Sequence, residues 1–318
     1  MKSADAAAPG KIILFGEHAV VHGHPAIAVP LKAVQATAHA VPAPPRSGVT
    51  IHAPDINRTL QFCDYRTDTP LHNALLFPVQ VALETLGLPV PDLVLTVRST
   101  IPIASGLGSG AALAAALIRA LTEALEHPIS CETLNDLVFE VEKRHHGTPS
   151  GIDNTVIVYE QPVYFVRGKP PETFRIARPF TLLVADSGVS SPTHRTVSDV
   201  RVLLEAEPER IGAIFARIGA ITDAARAAIE SGTIESLGPL MNENHALLRE
   251  LTVSSGELDR LCDAALSAGA GGAKLSGGGR GGNLIALVAP DRVGPVTGAL
   301  RRAGAVNIIH TSVEDVSC

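Results

Sequence analysis

The stretch PIASGLGSGAALAAAL, residues 102–117, sets three glycines ahead of an alanine- and leucine-rich helix. Glycines let backbone approach a ligand closely, and a helix start supplies unpaired N–H groups and the positive end of a dipole. Together these make a phosphate cradle. Pro102 fixes the entry to the loop, and Ser109 sits where it can both cap the helix and offer a hydroxyl. A plain helix start after a flexible turn accounts for Gly106 and Gly108 equally well. The match of Gly106, Gly108 and Ala111 to GxGxxG/A does not extend to a dinucleotide fold. That fold needs the loop directly after a strand and an acid closing the next strand. Here about eight residues part LVLTV from Gly106, and Glu123 and Glu126 lie in a helical stretch. GxxxxGK[ST] occurs nowhere in the chain.

Three further segments carry candidates. In APGKIILFGEHAVVHGHPAIAVPL, residues 8–31, Lys11 opens an apolar strand that ends at Gly16-Glu17-His18. Lysine is scarce in this chain, which makes Lys11 conspicuous, although an edge strand can start with a surface lysine. His18, His22 and His24 suggest zinc only weakly, because HExxH is absent and histidines on a turn usually meet water. In EVEKRHHGTPSGIDN, residues 140–154, Glu142 flanks the apolar stripe of its helix and can face a cleft or solvent. Asp153 follows Pro149 and Gly151, where an aspartate ordinarily caps a helix or forms a turn. KLSGGGRGGN, residues 274–283, is a second glycine loop, ahead of a strand.

These motifs need scaffolding, and periodicity supplies it. Residues 10–100 alternate short apolar runs (KIILF, AIAVPL, AVQATAHAV, GVTIHA, TLQF, LVLTV) with Gly, Pro and Asp breaks, which predicts strands. Helical spacing predicts helices over 71–86, 109–126 and 131–146, followed by strands in PVYFV and TLLVADS. From about residue 192 the pattern is mostly amphipathic helix, over 195–206, 210–230, 236–251 and 257–268. AGGAKLSGGG then leads to a strand NLIALV, a helix over about 292–303 and a strand VNIIHTSV. This reads as two α+β domains, 1–185 and 186–318.

Composition narrows the partners. A net charge of -6 with no basic tract disfavours nucleic acid. Three Tyr, eight Phe and no Trp leave few rings for stacking bases or sugars. No apolar run reaches the ~18 residues of a bilayer span, and Arg119 breaks the longest candidate, Ala111–Leu121. MKSADAAAPGK lacks the apolar core of a signal peptide. Cys63, Cys131, Cys262 and Cys318 are scattered, which fits a reducing, cytoplasmic location.

PGKIILFGEHAVVHGHPAIA, PIASGLGSGAA, HGTPSGIDN and KLSGGGRGG together resemble, in order and spacing, the GHMP superfamily of galactokinase, homoserine, mevalonate and phosphomevalonate kinases. The first and third look most like its mevalonate kinases. The resemblance spans essentially the whole chain and implies the following. The N-terminal domain is a mixed α/β domain with a left-handed β-α-β unit. The C-terminal domain is ferredoxin-like, and the active site lies in the cleft between the two. ATP phosphates lie on Pro102, Ile103, Ala104, Ser105, Gly106, Leu107, Gly108, Ser109, Gly110, Ala111 and Ala112. Mg²⁺ takes oxygens from Ser109 and Glu142. Asp153 accepts the proton of the mevalonate C5 hydroxyl, and Lys11 lies beside Asp153 and the transferring phosphoryl. Glu17, His18 and Thr193 line the substrate site, His18 facing the substrate carboxylate.

The chain departs from the family in having Gly110 where a second serine is usual. Its third motif reads Ser276, Gly277, Gly278, Gly279 and later Asn283. The expected reaction is ATP-dependent phosphorylation of mevalonate. The alternatives are a sister kinase acting on phosphomevalonate, served by Arg144, His194 and Arg195, or on another small hydroxy acid, and a non-catalytic ligand sensor on the same fold. Neither nucleic acid nor membrane is expected as a partner, and a homodimer is left open.

Overall fold

Apolar runs broken by Gly, Pro and Asp do form strands, and the computed structural model joins them into fewer, longer ones than the sequence suggests. It describes residues 1–63, 74–102, 105–146, 149–190 and 193–315, with backbone alone at 145 and 146. Strand β1 (Ala4–Phe15) starts well before KIILF, and β2 (Pro25–Pro42) runs through two predicted strands as one. Proximity along the fold groups Met1–Lys11 with Val34–Glu160 as a first unit and Ile12–Ala33 with Gln161–Cys318 as a second. The chain therefore changes unit inside β1, inside β2 and after Glu160, where the sequence suggests one boundary at 185/186.

In the first unit, β3 (Val49–Ala53) and β4 (Arg58–Phe62) form a hairpin, and β3 lies parallel to β5 (Leu93–Ser99). β5 pairs antiparallel with Ala36–Pro42 of β2, giving the order β4-β3-β5-β2. Helix α1 (Leu76–Leu86) begins later than residue 71, part of whose predicted span lies outside the described residues. Helix α2 (Ser109–Ala124) packs against α1, β5, α3 (Cys131–His146) and α4 (Ile152–Tyr159). Its alanines explain how it is shared so widely: Ala111, Ala112, Ala114, Ala115, Ala116 and Ala120 are buried. They favour the helix and leave room for neighbours to approach. Helix α4 is not evident from the sequence, since its short span follows Pro149 and Gly151 and reads as a turn.

In the second unit, β6 (Val163–Val166) pairs with Pro25–Ala28 of β2 and with β7 (Glu172–Thr173). A separate antiparallel sheet has β8 (Phe180–Asp186), β9 (Gly272–Ser276), β10 (Asn283–Val288) and β11 (Asn307–Val313) in the order β11-β8-β10-β9. Numbered within that sheet the order is 4-1-3-2. This is the arrangement of a ferredoxin-like domain. Helices α5 (Thr193–Ala206), α6 (Pro208–Ser231), α7 (Leu237–Glu250) and α8 (Gly256–Ser267) lie between its first two strands, and α9 (Val293–Arg302) precedes its last. Their apolar stripes share one core with the sheet, including Leu183, Phe215, Leu248, Leu261, Leu284 and Leu300. Among the described residues, no helix is long and apolar enough to cross a membrane.

Candidate active site

The glycine loop of the first unit ends where α2 begins. Gly106 and Gly108 both have φ near +75°, and Gly108 is the residue that precedes the helix. Ser109 is thus the first helical residue rather than its cap, a correction to the sequence reading. Gly108 has no side chain to bond the first turn, and among the described residues no side-chain hydrogen bond is made at this cap. The N–H groups at that end are therefore left for a ligand, as an anion site requires. Ile103 and Ala104 lie outside the described residues, while Ser105 Oγ donates to Pro102 O at 2.7 Å and shapes the loop entry.

β1 brings Lys11 to this loop. Its backbone N–H donates to Leu107 O at 2.9 Å, and its buried side chain puts Nζ 3.0 Å from Asp153 Oδ1. Asp153 sits in the first turn of α4, which starts after Gly151, and its carboxylate stays partly exposed. A Cβ placed on Gly108 would stand 2.8 Å from Lys11 Cγ and 2.9 Å from Ile157 Cδ1. Glycine is required there twice, by φ and by the lysine stem. Helix α3 delivers Glu142, buried to 5% exposure, and its Oε1 lies 3.4 Å from the Cβ position of Gly110. The first unit thus holds Lys11, Asp153, Glu142, Ser109 and the described part of the glycine loop.

The second unit gathers the other candidates by itself. Glu17 follows β1 and forms an ion pair with Lys274 in the middle of β9, both side chains being essentially inaccessible. Lys274 Nζ also donates to Leu275 O at 2.7 Å. Burial pushes the Glu17 carboxyl up and the Lys274 ammonium down, and their mutual attraction opposes both shifts. Among the described residues, the buried Glu17 Oε2 has no hydrogen-bond partner. The sequence reading passed over Lys274. Its signal was there, a rare lysine inside an otherwise apolar strand.

His18 sits at φ 62°, ψ -48°, with Ala19 N donating to Glu17 O at 2.7 Å. This is the rare, strained γ-turn of positive φ. Its Nε2 donates to Gly278 O at 3.0 Å, and burial lowers its pKa to about 4. His18 is therefore held as an uncharged imidazole at neutral pH. Gly278 is needed because a Cβ there would come within 2.7 Å of Thr193 Oγ1. That contact sets Thr193, at the start of α5, beside the third motif. Ser276 Oγ donates to Ile13 O at 2.7 Å and is a structural hydroxyl. Gly277 and Gly279 have φ of 91° and 76° in the turn after β9. Asn283 opens β10, buried opposite Ser276.

Two groups of sequence candidates are engaged elsewhere. His22 stacks on Phe215 at 4.5 Å, and His24 lies 6.3 Å from the same ring. Among the described residues no group of three or more His, Cys, Asp or Glu could hold a metal ion. Arg144 lies over the Phe77 ring at 4.7 Å, while His194 and Arg195 are exposed on α5.

Comparison with known proteins agrees with both units. Residues 75–161 match the GHMP kinases N-terminal domain and residues 225–306 the GHMP kinases C-terminal family. A mevalonate kinase from Pyrococcus furiosus is 34% identical over 96% of this chain and 94% of its own length. The crystal structure of L. major mevalonate kinase in complex with R-mevalonate is 28% identical. It superposes with a TM-score of 0.84 over 99% of this chain and 97% of that one. The Methanococcus jannaschii mevalonate kinase is 25% identical with a TM-score of 0.85, covering 99% of each chain. The chain belongs to the GHMP kinase family and, within it, to the mevalonate kinases.

Proposed function

We propose that this ATP-dependent kinase transfers the γ-phosphoryl group to the C5 hydroxyl of (R)-mevalonate, with Asp153 and Lys11 at the point of transfer. The observation that carries this reading is the 3.0 Å pair of Lys11 Nζ and Asp153 Oδ1, held in the same unit as an uncapped helix start after a glycine loop. The relatives supply the substrate, since those 34–36% identical over 90–96% of the chain are mevalonate kinases.

Phosphoryl transfer through a loose transition state asks for positioning and charge neutralisation more than for a strong base. Asp153 orients the attacking hydroxyl and takes its proton as the new bond forms. Lys11, anchored through its own backbone to Leu107 O, holds that carboxylate and faces the charge on the transferring group. The glycine loop that ends at Gly108 and the first turn of α2 bind the phosphates through backbone N–H groups.

The donor set also fits Mg²⁺. The Glu142 carboxylate reaches the residue next to Ser109 and so brings a carboxylate oxygen to the helix end that Ser109 opens. Mg²⁺ prefers hard oxygens and few protein ligands, keeping its other positions for phosphate and water. Bound there, it would neutralise phosphate charge. Glu17, His18 and Thr193 contribute the substrate side.

The deciding experiment measures ADP release with mevalonate, phosphomevalonate, galactose and homoserine as acceptors and identifies the phosphorylated product. Turnover of mevalonate to the 5-phosphate is expected. Turnover confined to phosphomevalonate or another acceptor would overturn the assignment.

A further inference from the structure

Within the second unit, β9 ends the order β11-β8-β10-β9 and pairs with β10 along one edge. The other edge of such a strand leaves backbone N–H groups unpaired, and buried ones need partners. Helix α7 supplies them with side chains. Asn242 Oδ1 accepts from Ala273 N at 2.9 Å, and His245 Nδ1 accepts from Leu275 N at 3.3 Å. Residues 273 and 275 are two apart, so their N–H groups leave the strand on the same side. Asn242 and His245 are three apart and share a helix face. Gly238, one turn earlier on that face, lets the helix come this close. A Cβ there would stand 2.2 Å from Gly271 O, and one on Gly272 would stand 2.4 Å from Gly238 O. A backbone N–H only donates, so His245 Nδ1 carries a lone pair, and Nε2 lies 3.2 Å from Asp259 Oδ1 of α8. Ser254 Oγ at 2.6 Å and Arg249 Nε at 3.1 Å hold that carboxylate in turn.

The strand fixed in this way carries partners of β1 and of the turn that follows it. Lys274 pairs with Glu17, and Ser276 Oγ donates to Ile13 O at 2.7 Å. Gly278 O, two residues past the strand, receives His18 Nε2 at 3.0 Å. We propose that Asn242 and His245 are positioning residues. By holding the open edge of β9 they fix where Glu17 and His18 stand, and so set the affinity for the phosphoryl acceptor through the strand. The proposal rests on the mevalonate reading above, which puts Glu17 and His18 on the substrate side. Its effect falls on acceptor binding rather than on transfer, because Lys11 and Asp153 belong to the first unit.

The test measures steady-state kinetics of the full-length enzyme with mevalonate and ATP varied separately. His245→Leu removes the acceptor from Leu275 N, whereas His245→Asn keeps an oxygen at the δ position. His245→Leu should raise KM for mevalonate about 5- to 30-fold, with kcat and KM for ATP within about twofold of the parent. His245→Asn should restore KM for mevalonate to within about twofold of the parent. Asn242→Leu should repeat the rise in KM. A parental KM in His245→Leu, a loss carried by kcat instead, or an asparagine variant as impaired as the leucine one overturns the proposal. The unsubstituted protein gives a second readout should the variants not fold. The ¹⁵N resonance of His245 Nδ1 should be that of an unprotonated nitrogen. Saturating mevalonate should slow hydrogen exchange at the Leu275 amide, since coupling between the strand edge and the substrate is reciprocal. A protonated Nδ1, or exchange at Leu275 that mevalonate leaves unchanged, would overturn it. Absence of any mevalonate turnover in the parent would instead defeat the functional reading, so the two failures are distinct.

Discussion

Gly106 and Gly108 offer a controlled pair of substitutions. Both have φ near +75°, so alanine at either costs about 1–2 kcal/mol of backbone strain. Their surroundings differ. A Cβ on Gly106 meets nothing within 4 Å, whereas on Gly108 it stands 2.8 Å from Lys11 Cγ and 2.9 Å from Ile157 Cδ1. Cγ is mid-stem and cannot swing away freely, so it must retreat by roughly 0.6 Å to reach an ordinary contact. The ammonium it carries sits 3.0 Å from Asp153 and moves with it. A displacement of that size at a reacting group costs on the order of 10- to 100-fold in rate. Steady-state ADP release at saturating ATP and mevalonate should therefore show kcat down 10- to 100-fold in Gly108→Ala and within about threefold of the parent in Gly106→Ala. Gly106→Ala should act instead on KM for ATP. Thermal unfolding should report the larger stability loss for Gly108→Ala, whose Cβ also crowds the buried Lys11 stem and Ile157. Equal loss of kcat in the two variants would refute the argument, because it would trace the defect to loop strain rather than to Lys11.

Asp153→Asn should leave ATP binding, followed by calorimetry, nearly intact and lower turnover by orders of magnitude; retained turnover removes Asp153 as the proton acceptor. Ser109→Ala and Glu142→Gln should each raise the Mg²⁺ concentration needed for half-maximal rate, and an unchanged metal titration would count against ligation. Gly110 lies in the helix without positive φ, and its Cβ position clears Glu142 Oε1 at 3.4 Å. Gly110→Ser should accordingly bind ATP within about threefold of the parent, since the helix prefers almost any residue to glycine. A collapse of ATP affinity would show a constraint that the backbone does not reveal. His18, held neutral with a pKa of about 4, resists the proton that the unfolded chain takes up below about 6.5. Stability should fall as pH drops through that window, by up to roughly 3 kcal/mol from this residue. The lowered pKa of His245 acts in the same direction. Denaturant midpoints at pH 7.5 and 4.5 should show a smaller fall in His18→Asn, and an identical fall would remove His18 as a source.

The phosphate loop was legible because its parts are local, glycine spacing and an adjoining helix, while Lys11 stood out by rarity although it lies inside β1 rather than at a strand start. The ferredoxin-like half was visible as a succession of helices and strands, but its strand order depends on long-range pairing that periodicity does not encode. The partners of Glu17 and His18 were hidden for the same reason. Both are consecutive on one turn, and what each touches, Lys274 and Gly278, lies at the far end of the sequence. Helix α4 was missed because Gly151 and Pro149 advertise a turn while the helix they open is short. The charge state of His18 follows from burial, which composition cannot supply.

The Glu17–Lys274 pair spans 257 residues, and Ser276 reaches back 263 to Ile13. At ribosomal rates of about 5–20 residues per second, the N-terminal segment waits roughly 10–50 seconds before its partners emerge. Throughout that interval Glu17 stays hydrated, because nothing yet exists to neutralise it. The nascent chain thus carries an ionised, water-soluble knot between two apolar strands, and desolvation comes only as the last strands dock. A carboxylate at position 17 thereby postpones burial of the surrounding segment until translation has nearly finished.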